Sequence, residues 1–205
     1  MSLSKVGRRV LLSLFLLAVA APATADPRWW WHDAQVAGPG HATSLDIDAV
    51  PPVFRGDAPA VFVAWAEPPF AIEGRLRLAA SFDGGCSWCS VGVRSIMSGE
   101  PETAIAVEPL GRTGFYSIQI LLTDSGILAA VHDAVSVPLA GTPEEKCAAL
   151  ADVNLNHTVT PLGGPDARFP DIAGIESDLV GEPQFHAVWR QAAPGGDWDV
   201  HYGRD

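Results

Sequence analysis

The stretch Ser81-Phe82-Asp83-Gly84-Gly85-Cys86-Ser87-Trp88 constrains this chain more than any other, because it reads as a β-hairpin turn fixed by its own side chains. Arg75 to Ala80 has the content of the strand before it, and Cys89-Ser90-Val91-Gly92-Val93 can form the strand after it. Asp83 can accept hydrogen bonds from the turn amides, Gly84 and Gly85 allow positive φ, and Trp88 can lie back over the neighbouring sheet. The turn is a structural staple before it is anything else.

A second pattern runs along the chain. Val61-Phe62-Val63-Ala64-Trp65-Ala66-Glu67 has the β-branched and aromatic content of a buried strand, and Gln184-Phe185-His186-Ala187-Val188-Trp189-Arg190 is the same kind of segment, with Trp189 in the place of Trp65. Ile127 to Asp133 is a weaker copy, with Val131 where the tryptophan would stand. The anchors at 65, 131 and 189 are spaced more widely than the roughly 40 to 50 residues of common propeller repeats, and loops would account for the excess.

Each copy has a plausible neighbourhood. Ser44-Leu45-Asp46-Ile47-Asp48 alternates ahead of the first tryptophan strand, and Arg75 to Phe82 follows it into the turn. Phe169-Pro170-Asp171-Ile172-Ala173 precedes the third, and Asp197 to Tyr202 follows it after a Pro194-Gly195-Gly196 turn. For the middle copy we expect Tyr116 to Leu122 as first strand and His157 to Thr160 as last. Gly141 to Leu150 is the helical candidate: Thr142 can cap, Pro143 suits the first position, and Glu145 completes a capping box.

On Ser81, Asp83, Gly85 and Trp88 the turn matches Ser-x-Asp-x-Gly-x-x-Trp, and the chain resembles the Asp-box, or BNR-repeat, family of sialidase-like β-propellers. The resemblance implies an all-β fold of antiparallel blades, here about three, with one complete box. The third copy stops at Tyr202-Gly203-Arg204-Asp205, where its own box would begin, so the expectation is an incomplete or irregular propeller. Arg28-Trp29-Trp30-Trp31-His32-Asp33 can supply a closing strand. A β-sandwich of short strands is the alternative.

Lys5, Arg8 and Arg9 precede an apolar run from Val10 to Ala21, and Ala23-Thr24-Ala25 offers a small-x-small cleavage site. Residues 1–25 therefore read as a removed signal peptide, and residues 26–205 as a single domain exported to the periplasm or the extracellular space. The run is shorter than the roughly 20 residues that span a bilayer, and no later segment is apolar enough to insert after the signal is removed. The signal holds three of the 13 Lys and Arg and none of the 24 Asp and Glu, which leaves a formal charge of −14. That excess disfavours nucleic acid as a partner.

Cys86, Cys89 and Cys147 all lie in the exported part, so one disulfide leaves one thiol over. Cys86-Ser87-Trp88-Cys89 has redox spacing but sits in a hairpin turn, without the helix N-terminus that lowers a thiol pKa. We expect a structural bridge from Cys86 or Cys89 to Cys147. The spacing is not that of a zinc site.

Sialidases use a tyrosine nucleophile, an aspartate acid/base and three arginines that hold the substrate carboxylate. The two tyrosines here are Tyr116 and Tyr202, and Arg28, Arg55, Arg94, Arg112 and Arg168 are available, but none stands in a motif that can be carried over. Ala167-Arg168-Phe169-Pro170 departs in order from the family's Arg-Ile-Pro element. Asp46 with Asp48, and Asp197 with Asp199, place carboxylates on one side of a strand, where a solvated face or a turn cap is the plainer reading than calcium. His32, His41, His132, His157, His186 and His201 lack ligand spacing, and Asn156-His157-Thr158 is a glycosylation sequon. Trp29, Trp30 and Trp31 cannot all face one core, because strand side chains alternate, and aromatic platforms suit sugars and proteins.

The expectation is therefore a secreted, non-enzymatic, propeller-like protein that binds a glycan or a protein, without catalytic residues, cofactor or metal. The alternative is a sialidase-like exo-glycosidase.

Overall fold

Strands that alternate in polarity and are joined by short turns pair first with their neighbours in sequence, and this chain repeats that step three times. The computed structural model describes residues 42, 44–67, 74–96, 100–111, 113–124, 127–133, 137–151, 158–164, 166–175 and 184–204. The expected signal peptide, Trp29, Trp30, Trp31, Arg28, Arg112, His32, His41, Asn156 and His157 lie outside them.

The first sheet runs β1 (Ser44–Val50), β2 (Ala60–Glu67), β3 (Gly74–Ser81) and β4 (Cys89–Ile96) in chain order. The second runs β5 (Glu102–Leu110), β6 (Phe115–Asp124), β7 (Ile127–Asp133) and β8 (Thr158–Pro161), with helix α1 (Pro143–Ala151) between β7 and β8. The third sets β10 (Gln184–Ala192) between β9 (Arg168–Ile175) and β11 (Trp198–Arg204). Every pairing is antiparallel. The fold is all-β, with three blade-like sheets among the described residues and none of them closed. Because the sheets pack face to face, a layered β-sandwich describes them equally well.

The middle copy departs from the expected register. Tyr116 to Leu122 lies in the second strand, the first being β5, and the segment Ile127–Asp133 is the third. Ile118 and Ile120, not Val131, therefore stand in the second strand, where Trp65 and Trp189 stand in theirs. The reason is burial: Thr103, Ala104, Ile105, Ala106 and Val107 are covered on both faces, so β5 carries no alternation of polarity to announce it.

Two cores follow from this stacking. Phe62, Ala64, Leu76 and Leu78 of the first sheet meet Ile105, Val107, Ile118 and Ile120 of the second. Phe62 packs edge-on against Phe82 and Tyr116, with centroids 5.7 and 5.3 Å away. Burying a side chain like Phe62 stabilises by about 2–3 kcal/mol. The second sheet turns smaller residues, Ala104, Ala106 and Ala130, toward the third, and these leave room for Phe185 and Trp189.

Helix α1 begins as its sequence predicts. Glu145 Oε2 accepts from Thr142 N at 2.8 Å, and Thr142 Oγ1 accepts from Glu145 N at 3.3 Å, a reciprocal capping box. The helix carries Cys147 to Cys89 on β4, and the two are disulfide-bonded, with Cα atoms 5.7 Å apart; Cys86 is free and exposed. The bridge fits an oxidising compartment. Among the described residues no helix is long and apolar enough to cross a membrane.

Candidate functional site

The turn after β3 is held by a small network. Ser81 Oγ donates to Asp83 Oδ1 at 2.8 Å and accepts from Gly85 N at 2.7 Å. Asp83 also accepts from Ser87 N at 2.9 Å and from Ser87 Oγ at 2.6 Å. Gly84 and Gly85 have φ of 75° and 97°, the left-handed region in which a Cβ is strained. Trp88 donates its indole N–H to Gly85 O at 3.1 Å and packs on Val63, Trp65 and Ala79. Partial burial raises the Asp83 pKa, but the hydrogen bonds from Ser87, Ser81 and the Cys86 backbone outweigh it and hold the carboxyl below its ordinary value. With both carboxylate oxygens engaged in the turn, Asp83 serves shape rather than chemistry.

The first strands of the three sheets lie side by side, and outward main-chain N–H groups of the second and third, β5 and β9, are capped by side chains of the preceding sheet. Ser44 Oγ accepts from Thr103 N at 2.9 Å, Asp46 Oδ2 from Ile105 N at 2.8 Å, and Asp48 Oδ2 from Val107 N at 2.7 Å. Glu102 accepts in the same manner from Phe169 N. Such capping satisfies the donors that an edge strand would leave open. Asp46, Asp48, Glu108 and Asp171 line a cleft of about 290 Å³ between these strands. Among the described residues no group of three or more His, Cys, Asp or Glu is placed to hold a metal. By accepting from the Ile105 and Val107 amides, Asp46 and Asp48 link the first sheet to the second. Asp197 and Asp199 are both exposed at the start of the last hairpin strand.

The outer face of the third sheet gathers half of the large apolar side chains that are exposed among the described residues. Phe169, Ile175, Val188, Trp198, Val200 and Tyr202 are all exposed there, from 40 % at Val188 to 77 % at Val200. The Arg190 guanidinium lies between two rings, 5.5 Å from the Phe169 centroid and 5.1 Å from that of Trp198. Tyr202 Oη and His186 Nδ1 are hydrogen-bonded at 2.7 Å. A register shift between Val188 and Arg190, together with φ of 53° at Phe169, turns the Phe169 ring onto this face. Neither signal is legible as a site in the sequence, because both depend on how β9 meets β10. Exposed aromatic rings flanking a cation offer flat apolar faces on which a planar group can stack.

Among the described residues, the arginines and the buried tyrosine considered for tyrosine-based hydrolysis lie on separate elements. Tyr116 is buried in the first core, and burial, aided by the Asp57 charge, pushes its phenol pKa up. Arg55 lies in the β1–β2 connection, Arg94 on β4, and Arg168 on β9, where it reaches Glu100 O at 3.4 Å. His201 stacks on Trp189, with centroids 5.7 Å apart. Comparison with protein-family models, curated proteins and solved structures gives no match.

Proposed function

We propose that this chain is an exported, non-enzymatic binding protein that presents the outer face of its third sheet to a glycan or a protein partner. The observation that carries the reading is the row Phe169, Arg190, Trp198 with the neighbouring pair Tyr202 and His186, since contiguous exposed aromatics on one rigid sheet mark a contact surface. Export is supported by the bridge Cys89–Cys147 and by the cleavable leader expected at residues 1–25. Kinship with the Asp-box propellers is supported by the closed hydrogen-bond network of Ser81, Asp83, Gly85 and Trp88. A non-enzymatic role is supported by the burial of Tyr116 and the dispersal of Arg55, Arg94 and Arg168 over three elements.

The test is a glycan array and a self-association assay on the exported chain, repeated with Trp198→Ala and Tyr202→Ala combined. The reading expects the binding found in either assay to weaken at least about tenfold in the double variant, with near-ultraviolet circular dichroism otherwise retained. Turnover of a fluorogenic sialoside by the unaltered chain would overturn it in favour of the glycosidase.

A further inference from the structure

The outer face of the third sheet repeats, without its partner, an interface that the chain makes internally. Asp46 and Asp48 each use two oxygens: Oδ1 accepts from the next residue's own N–H, Ile47 at 2.9 Å and Ala49 at 2.8 Å, while Oδ2 reaches the first strand of the following sheet. Asp171, on the first strand of the third sheet, has the first of these bonds in place, with Oδ1 accepting from Ile172 N at 2.9 Å. Its side chain is exposed, and Oδ2 has no main-chain partner among the described residues. Asp171 is thus set as Asp46 and Asp48 are set, on the sheet face that bears the exposed apolar side chains.

The opposite end of the stack carries the complementary half. On β5, Ile105 and Val107 point back toward the preceding sheet and are 3 % and 4 % exposed. On β1, the side chains that point the same way are Leu45 and Ile47, and they are 62 % and 57 % exposed. The remainder of that face, Val63, Trp65 and Ala79, is buried with Trp88 packed on it, so β1 is the part left open. One end offers a carboxylate among apolar residues, and the other offers an apolar first strand.

We propose that the partner of the third sheet is the first sheet of a second copy of this chain, docked head to tail, with each copy completing the other. This rests on the reading of that face as a contact surface. A head-to-tail contact repeated about a two-fold axis closes on itself, and two copies bring together twice the three described sheets, within the four to eight blades that form closed propellers. Burying Leu45, Ile47, Trp198, Val200 and Tyr202 in one interface removes apolar surface that a lone copy leaves in water.

Sedimentation equilibrium of the exported chain tests this, with Val200→Asp and Ile47→Asp made separately. Both side chains are exposed, so neither change disturbs a core. The unaltered chain should sediment at twice the mass of one chain, and each variant should weaken dimerisation at least about tenfold, the scale of one unpaired charge in an apolar contact. Mixing the two variants should restore a dimer, because the mixed pair keeps one undamaged contact. A dimer lost with Val200→Asp but indifferent to Ile47→Asp, and not rescued by mixing, overturns the head-to-tail arrangement in favour of like faces meeting. Growth beyond the dimer overturns closure. A monomer at every concentration overturns the second copy as partner; if the glycan array then shows a ligand sensitive to Trp198→Ala, the contact surface survives, and if not, both readings fall.

Discussion

Asp46 on β1 and Ile105 on β5 are joined by a hydrogen bond of 2.8 Å from the isoleucine N–H to the aspartate Oδ2, across 59 residues of chain. The relationship inverts the usual reading of an alternating strand. In Ser44-Leu45-Asp46-Ile47-Asp48 the polar side chains face the neighbouring sheet and the apolar ones face out, because the carboxylates satisfy main-chain donors that would otherwise be buried unpaired.

Removing one of these caps should therefore cost more than an exposed aspartate normally does. Asp48→Ala leaves Val107 N without an acceptor, and we expect a loss of about 1.5–3 kcal/mol in urea unfolding, with faster hydrogen exchange at the Val107 amide. Asp48→Asn keeps an acceptor oxygen and should lose less.

The turn around Asp83 should loosen in acid. Its folded pKa lies below that of the unfolded carboxyl, about 3.9, so its contribution is fully present above that value and is lost as pH falls through the lower folded pKa. Trp88 fluorescence should report the change below about pH 4, and Asp83→Asn should remove that titration.

Gly174 lies against Glu108, and a Cβ there would overlap the glutamate side chain. Gly174→Ala should destabilise by about 1–3 kcal/mol, the range for overpacking. In a Glu108→Ala background the same change should cost less, and a double-mutant cycle measured by denaturant unfolding checks the coupling.

The disulfide spans 58 residues, so its removal should be felt globally. Cys147→Ser should cost about 4 kcal/mol on the chain-entropy account, seen as a lower thermal midpoint. Cys86→Ser, at the exposed free thiol, should leave the unfolding free energy within about 0.5 kcal/mol of the parent.

What the sequence made legible was local. The Asp83 turn, the Thr142 and Glu145 cap and the strands of Trp65 and Trp189 are set by residues within a few positions of one another. Strand β5 was hidden because Ala104 to Val107 are buried on both faces, and its absence shifted the middle sheet by one strand. Of the cysteine alternatives, Cys89 is bridged because β4, and not the turn, faces α1. The aromatic face around Arg190 was equally hidden: Phe169 reaches it only through a register shift with β10, a relation between distant segments. The tryptophans singled out at residues 29, 30 and 31 lie outside the described residues.

The clasp between Cys89 and Cys147 also divides the molecule mechanically. It closes the chain from Cys89 to Cys147, a separation of 58 residues, into a covalent ring, about 200 Å of contour that tension cannot draw out, and β4, β5, β6 and β7 lie within that ring. The third sheet lies beyond it, tied to the second by one strand of chain and by side-chain contact. Pulled from its two ends, the chain should therefore extend through β1 to β3 on one side and β8 to β11 on the other, while the stretch from β4 to β7 keeps its length.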